Sequence, residues 1–279
     1  MAADEAPTVH GSVTGAILAR LARPYDPPKV ISALLGLPPR LARQLVGAIL
    51  ATSEEAEGLL DAMPTIVRSM AIATTDRPER CYGELRGPVL WSETMSARSA
   101  SAGDPGLFVC ATTTKAYDTD ENRVLKAALD TIRRAGADAD HGTDAQNEAI
   151  VRRARQNGHR AAHLLEHRTL SGVPVTRVSG RALTRTRAGN RRNTYRPAIE
   201  LLRRAGDPVG TSELEPYMDA ATSTQIALLA RVIDVVEART GAPLSLRTAR
   251  GTLVGGTVTY DHLGGITVDG RLITAPDDL

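Results

Sequence analysis

Apolar residues recur at helical spacing in the first quarter of the chain, and prolines separate the apolar runs. The pattern predicts four short helices, over residues 13–21, 30–37 and 40–51 and from Ser53 to about Pro64. Three glutamates follow Ser53, and their charges favour the positive, N-terminal end of the fourth helix. Residues 1–75 are therefore predicted to form a helical module.

The middle of the chain combines two short apolar runs with longer helical patterns. The runs 89–91 and 107–110 follow Gly and Pro turn signals and predict strands, with Trp91 and Phe108 as core residues of a small β unit. Helical periodicity predicts three further helices, from about residue 120 to Gly136, over 148–167 with an interruption at Gly158, and over 195–204.

The end of the chain predicts one long helix and a small sheet. The helix covers about residues 222–239, and two alternating runs, 253–260 and 265–274, predict paired strands. The expected fold class is α+β: a helical N-terminal module, a small β unit with helices, and a short C-terminal β-hairpin or partial sheet. We predict three segments, with bounds 1–75, 76–205 and 206–279.

Composition excludes several classes of protein. With 42% hydrophobic and 24% charged residues, the chain is globular rather than disordered as a whole. No apolar run approaches the ~20 residues that span a bilayer, and the acidic start is unlike a signal peptide. Cys81 and Cys110 are too few for a disulfide framework or a cysteine-based zinc site, so each is expected to be a buried structural thiol. We therefore expect a cytoplasmic protein with no membrane partner.

A net charge of +2 hides a strong segregation of charge. Residues 1–140 hold 15 basic and 18 acidic residues, residues 141–204 hold 14 and 4, and residues 205–279 hold 5 and 10. We call residues 141–204 the basic block. Such a density is typical of a phosphate-binding surface, although a solvated face or a patch that docks on acidic protein remains an alternative. The candidate nucleic-acid-binding residues are Arg177, Arg181, Arg185, Arg187, Arg191, Arg192 and Arg196.

Two segments are more specific than the surrounding pattern. Residues 86–94 have the sequence RGPVLWSET, and residues 117–126, after the second predicted strand, have the sequence YDTDENRVLK. The residues themselves favour a structural interpretation of the second segment. Asp118 or Thr119 caps a helix, Asn122 ties a loop to that helix, and Arg123 pairs with Asp120 or another nearby carboxylate.

The order and spacing of these segments resemble the McrC-like family, the nuclease subunits of methylcytosine-dependent restriction systems and related defence proteins. The likeness extends from about residue 80 to residue 240 and includes the predicted helix that starts at Tyr195. The resemblance implies a prokaryotic antiviral-defence or DNA-processing setting, in which the middle region docks on and stimulates a ring-shaped AAA+ motor. The matched family positions are Gly87, Asp118, Asn122, Arg123 and Lys126.

The resemblance also implies a PD-(D/E)xK nuclease core at the end of the chain, and this sequence departs from that pattern. The chemistry needs carboxylates that hold Mg²⁺ and a lysine that helps to position the attacking water. Asp261 falls after its predicted strand, and Asp269 precedes Arg271 where an acid-x-Lys pair is expected. Arginine is no conservative replacement for that lysine, since it keeps its proton. We expect a degenerate nuclease-like end with no catalytic residue and no cofactor; these three residues and Mg²⁺ are the candidates if it is a nuclease.

Three histidines are spaced as metal ligands on a helix would be. His159, His163 and His167 recur every four residues, and residues 163–167 match the inverted zinc motif H-x-x-E-H. The inverted form needs a further acidic ligand downstream, and Glu200 is the single acid between residues 168 and 206. Neighbouring arginines repel a cation, so we expect a basic helix face and no metal site.

Residues and resemblance together predict a non-catalytic accessory subunit of a prokaryotic DNA-defence or DNA-processing system. The chain is expected to bind nucleic acid through the basic block, and DNA is the expected ligand. It is also expected to dock on an AAA+ motor or a separate nuclease. One alternative is a divergent Mg²⁺-dependent endonuclease, and another is a stand-alone DNA- or RNA-binding protein. The low aromatic content, 3%, argues against single-strand binding by base stacking.

Overall fold

The computed structural model describes residues 9–140, 149–175, 178–206 and 211–274. These residues are mainly helical and also form two antiparallel sheets, which confirms the predicted α+β class. Within the described ranges, no helix is both long enough and apolar enough to cross a membrane.

The helices are α1 (Val9–Ala19), α2 (Pro27–Leu35), α3 (Pro39–Ala51), α4 (Glu54–Arg68), α5 (Trp91–Ala100), α6 (Asp120–Ala139), α7 (Ala149–Leu165), α8 (Arg168–Ser171), α9 (Gly180–Ala188), α10 (Arg192–Gly206), α11 (Thr211–Leu214) and α12 (Ala220–Thr240). The strands are β1 (Ala73–Tyr82), β2 (Leu107–Ala116), β3 (Arg247–Ala249), β4 (Thr252–Gly255), β5 (Val258–Asp261), β6 (Gly265–Val268) and β7 (Arg271–Ile273). A 3-10 turn covers Glu215–Tyr217.

The chain forms two compact units, each assembled from separated stretches of sequence. Unit 1 comprises Met1–Leu60, Asp130–Ala162 and Glu200–Leu279. Unit 2 comprises Asp61–Leu129 and His163–Ile199. The predicted segments are contiguous stretches of chain, whereas these units are not.

Unit 1 is built around a hydrophobic core shared by helices and the C-terminal sheet. α2 packs against α3 and the sheet, and α12 packs against α1 and strands β5 and β6. α12 starts where the Asp219 side chain accepts a hydrogen bond from the N–H of Thr222 (2.7 Å), and it ends at Gly241 in the left-handed conformation (φ 66°). Arg20, directly after α1, holds Glu237 of α12 through two hydrogen bonds, of 2.9 and 2.7 Å.

The C-terminal sheet is an antiparallel meander in the order β3-β4-β5-β6-β7. The prediction of two long strands was wrong, because tight turns divide each run. Gly256 follows β4 with φ 54°, and Asp269 and Gly270 follow β6 with φ 51° and 77°. Two successive residues in the left-handed region form the two-residue hairpin turn that matches the twist of short strands.

Two glycines lie where α6 and α7 cross. A Cβ added to Gly136 would lie 2.7 Å from the Cα of Gly158 and 2.8 Å from the carbonyl oxygen of Ala154. The absence of side chains therefore lets the two backbones touch. The predicted helix end at Gly136 and the predicted interruption at Gly158 were both wrong, since each glycine lies inside its helix.

Unit 2 contains a ten-residue antiparallel ribbon of β1 and β2. Residues 88–90 extend along the other edge of β2, where the N–H of Leu90 donates to the carbonyl of Val109 (2.8 Å). Gly87 precedes them at a point where a Cβ would lie 2.3 Å from the carbonyl oxygen of Ala111, so glycine is required there. The predicted strand over 89–91 is wrong at its end, because Trp91 begins α5.

Candidate nucleic-acid interface

The densest part of the basic block forms α9 and the start of α10. Ser179 caps α9, with its hydroxyl accepting a hydrogen bond from the N–H of Ala182 (3.1 Å). Ala182 and Thr186, one turn apart, are the buried residues of α9. A helix with so narrow a buried face turns most of its side chains to solvent, and those side chains include its arginines.

We call six exposed arginines of α9, α10 and the turn between them the arginine surface: Arg181, Arg185, Arg187, Arg191, Arg192 and Arg196. Arg177, the seventh predicted residue, lies outside the described residues. The side chains of Arg181, Arg187 and Arg192 make no ion pair or hydrogen bond with any part of the chain that the structure describes. These three guanidinium groups keep all their donors for an external partner.

Two members of the arginine surface already have partners within unit 2. Arg191 Nη1 donates to the carbonyl oxygens of Ser69 (2.8 Å) and Met70 (2.7 Å), which follow α4. Arg185 Nη1 lies 3.2 Å from Asp120 Oδ2 in the first turn of α6. Arg191 therefore fixes the turn before α10 to the end of α4, and Arg185 is shared between the surface and α6.

A buried hydrogen-bond network lies beneath this surface. The Tyr195 hydroxyl donates to Asn122 Oδ1 (2.5 Å) and accepts from the N–H of Ala71 (2.8 Å). Asn122 Nδ2 donates to the carbonyl oxygens of Ala71 (2.8 Å) and Tyr117 (2.7 Å). Burial raises the pKa of the Tyr195 hydroxyl, which keeps it a donor at neutral pH. The network joins the start of α6, the start of α10 and the residues before β1.

The other motif residues have structural partners too. Lys126 is buried, and its ammonium donates to the carbonyl oxygens of Leu170 (2.7 Å) and Val173. Arg123 Nε lies 2.6 Å from Asp118 Oδ1, and its hydrogen bonds lower the pKa of that carboxyl. The structural interpretation of Asn122 and Arg123 is confirmed, and of the two predicted caps Thr119 is the one observed.

The hydroxyl of Thr119 caps α6, accepting a hydrogen bond from the N–H of Asn122 (3.3 Å). Asp118, the other predicted cap, accepts two hydrogen bonds from the Arg123 guanidinium instead.

The structure does not bring the candidate nuclease residues together. Asp261 pairs with Gly265 at one end of the β5–β6 hairpin, and Asp269 follows Val268 at the other end. At about 3.3 Å per residue, the two aspartates lie roughly 13 Å apart along the strands. A Mg²⁺ ion contacts its oxygen ligands at about 2.1 Å, so these carboxylates do not share one ion. Asp269 serves the turn, and Arg271 is an exposed residue at the start of β7.

The three histidines do not form one helical face. α7 ends at Leu165, and His167 precedes α8, where its Nδ1 lies 2.8 Å from Thr169 Oγ1. His159 and His163 remain on α7. Among the described residues, no group of three or more His, Cys, Asp or Glu side chains is arranged to hold a metal ion.

Among the described residues of unit 2, six large apolar side chains are exposed, and Ile72 and Val175 are two of them. The sequence did not predict this feature. Trp91, expected in the core, is 62% exposed, and Met95, one turn later on α5, is 59% exposed. Tyr82 and Leu85 are also exposed. Phe108 is half-buried, with the Arg98 guanidinium 4.6 Å from its ring centroid.

Cys81 and Cys110 are both buried, as predicted. Burial is the main cause that raises the pKa of the Cys81 thiol, and the neighbouring Cys110 raises it further.

The chain matches no model of a known protein family, and a search of curated proteins found no significant match.

Proposed function

We propose that the chain is a non-catalytic accessory subunit that binds nucleic acid through the arginine surface. The observation that carries this proposal is the set of three exposed arginines, Arg181, Arg187 and Arg192, that have no partner within the described residues. Residues 163–199 hold eight arginines and one acidic residue, Glu166. Guanidinium groups bind phosphate oxygens in a bidentate manner, so a cluster of them suits a polyphosphate backbone.

A double-stranded DNA ligand is the first expectation. Contacts from arginine to phosphate release condensed counterions, so such binding weakens steeply as salt rises. In the described stretch that carries the arginine surface, residues 178–196, the buried Tyr195 is the one aromatic side chain. This favours backbone contact over stacking of bases, and it leaves sequence specificity to the ligand's shape or to a partner.

The proposal is tested by fluorescence anisotropy with a labelled DNA duplex of about 25 base pairs and the variant Arg187→Ala/Arg192→Ala. We expect the loss of two phosphate contacts to weaken binding about tenfold or more and to reduce the slope of log affinity against log salt by about 1.8. The matched control is Arg43→Ala/Arg231→Ala. These residues of unit 1 are also exposed and have no partner within the described part of the chain.

The control carries the same loss of two charges, so it separates a specific surface from general attraction. If both double variants weaken binding equally, the arginine surface is not the interface. If wild type does not bind the duplex but binds RNA of the same length, the ligand class changes and the surface stands.

We further propose that α5 docks on an AAA+ motor, the partner that the McrC-like resemblance implies. The support within the chain is the exposed pair Trp91 and Met95 on one side of α5. Tryptophan and methionine are enriched in the cores of protein interfaces and are rarely left exposed together. A separate nuclease subunit is the other partner that the resemblance allows.

The docking proposal is tested with an AAA+ motor encoded beside this chain. We expect the chain to stimulate nucleotide hydrolysis by the motor, and Trp91→Ala/Met95→Ala to abolish the stimulation. The control is Leu263→Ala/Leu272→Ala, since these side chains are also exposed but belong to unit 1. A neighbouring gene for a nuclease alone would transfer the proposal to that partner, and unchanged stimulation by the α5 variant would contradict it.

A further inference from the structure

Two carboxylates of α6 lie at the edge of the arginine surface. Asp120 Oδ2 is 3.2 Å from Arg185 Nη1. A Cβ placed on Gly189, in the turn between α9 and α10, would lie 4.0 Å from Glu121 Oε1. The first turn of α6 therefore faces the segment that carries the arginines, and it presents negative charge where a phosphate would approach.

The charges of both sides also act on the same buried hydroxyl. Beyond the effect of burial, Glu121 raises the pKa of Tyr195, whereas Arg191 lowers it. Glu121 and Arg191 are thus each close enough to Tyr195 to act on its hydroxyl. The arginine surface is thus bordered by acid rather than surrounded by neutral residues.

The pair of Arg185 and Asp120 is exposed enough to exchange partners. The Arg185 side chain is 59% exposed and that of Asp120 is 31% exposed. Ion pairs at such exposure contribute little to stability. A phosphate oxygen offers the same kind of acceptor as a carboxylate, and it competes for the same guanidinium group.

We propose that Asp120 is an electrostatic brake on nucleic-acid binding: its carboxylate competes with phosphate for Arg185 and so weakens binding. This inference rests on the proposed function of the arginine surface. In wild type, the Asp120 carboxylate holds Arg185 and competes with phosphate for it, so this arginine is largely withheld from the bound ligand. Glu121 adds repulsion at the same edge. A single phosphate meets this competition alone, whereas a nucleic-acid backbone also gains Arg181, Arg187 and Arg192. The brake therefore favours polyanions over nucleotides and free phosphate.

The test is a mutant cycle of Asp120→Asn and Arg185→Ala, measured by anisotropy with the same duplex. We expect Asp120→Asn to tighten binding about three- to tenfold and to steepen the salt slope by about 0.9, since one more arginine contacts phosphate. In the Arg185→Ala background, Asp120→Asn should leave the salt slope unchanged. Asp120→Ser should reproduce the gain, because it also removes the carboxylate from the first turn.

The control is Glu166→Gln, which removes one negative charge from unit 2. Glu166 is exposed and makes no ion pair within the described residues. We expect it to change affinity less than twofold. If wild type binds with a steep salt slope but neither Asp120 variant binds more tightly than Glu166→Gln, the brake is wrong and the arginine surface stands. If wild type binds no nucleic acid, both proposals are overturned.

Discussion

Replacing Gly136 by alanine should destabilise the protein, although alanine is the better helix former. At an exposed helical position, the change from glycine to alanine stabilises by about 1 kcal/mol. At Gly136, the added Cβ would lie 2.7 Å from the Cα of Gly158 and 2.8 Å from the carbonyl oxygen of Ala154. Both are backbone atoms, so α6 and α7 must move apart by several tenths of an ångström. Overpacking of this kind costs about 1–3 kcal/mol.

We therefore expect Gly136→Ala to lower the free energy of unfolding by about 1 kcal/mol, the middle of the roughly 0–2 kcal/mol that remains after the gain in helix propensity. Urea denaturation followed by circular dichroism at 222 nm measures this value, and the midpoint should fall by about 0.5 M. The matched control is Gly58→Ala, inside α4, where an added Cβ meets no atom within 4 Å. Gly58→Ala should stabilise. A Gly136→Ala midpoint equal to or above that of wild type would refute the proposed crossing.

Three further substitutions test buried hydrogen bonds and one ion pair, each by urea denaturation. Tyr195→Phe leaves Asn122 Oδ1 and one backbone N–H unpaired, so the free energy of unfolding should fall by about 2–4 kcal/mol. Lys126→Met removes the ammonium donor from the carbonyl groups of Leu170 and Val173, of which Leu170 still accepts from the N–H of Val173, and it should lower the free energy of unfolding by about 1–3 kcal/mol. The Arg20 guanidinium lowers the pKa of Glu237 from 4.5 to about 2. Glu237→Gln should therefore cost about 1–2 kcal/mol near pH 7, and the cost should shrink as pH falls from 4.5 towards 2, because the wild-type carboxylate becomes protonated.

Each of these variants has a control of the same chemistry. Tyr117→Phe removes a hydroxyl with no hydrogen bond in the described structure, Lys115→Met removes an exposed ammonium, and Asp234→Asn removes the more exposed carboxylate near Arg20. Each control should change stability by less than about 0.5 kcal/mol. A control that costs as much as its partner would contradict the assignment. For Glu237, a cost that does not change with pH would do the same.

The helices were largely predictable because their buried faces follow helical periodicity. The stripe that starts at Val124 is buried in α6, and the stripe from Ile226 to Val236 is buried in α12. α9 was missed because its buried face consists of Ala182 and Thr186, which give no apolar periodicity.

The strands were harder to predict. β1 contains four charged residues and Pro78 within ten positions, and most of it is exposed, so it lacks the alternation of a half-buried strand. Its partner β2 supplies the buried side chains Leu107, Val109 and Cys110. The division of the C-terminal runs could have been predicted, since Asp269-Gly270 is a strong signal for a two-residue hairpin turn.

The sequence predicted where the arginine surface lies but not which of its arginines form ion pairs or hydrogen bonds within the chain. The basic block was evident from charge alone, whereas the contact between Arg185 and Asp120 joins residues 65 positions apart. The role of Tyr195 was similarly hidden, because its two partners come from separate segments of unit 2. The exposure of Trp91 could not be inferred from its apolar character, since the adjacent Leu90, not Trp91, packs beside the small cluster of Ala97, Leu107 and Val109.

The most direct test of the arginine surface is the salt dependence of wild-type binding to a DNA duplex. The slope of log affinity against log salt should be negative. Phosphate contact by the three free arginines predicts a slope of about −2.7, and contact by all six predicts about −5.4. Anisotropy titrations between about 50 and 300 mM salt give this slope. A value in that range supports phosphate contact by the arginine surface. Binding that does not change with salt, or no binding of either the DNA duplex or RNA of the same length at the lowest salt, would contradict it.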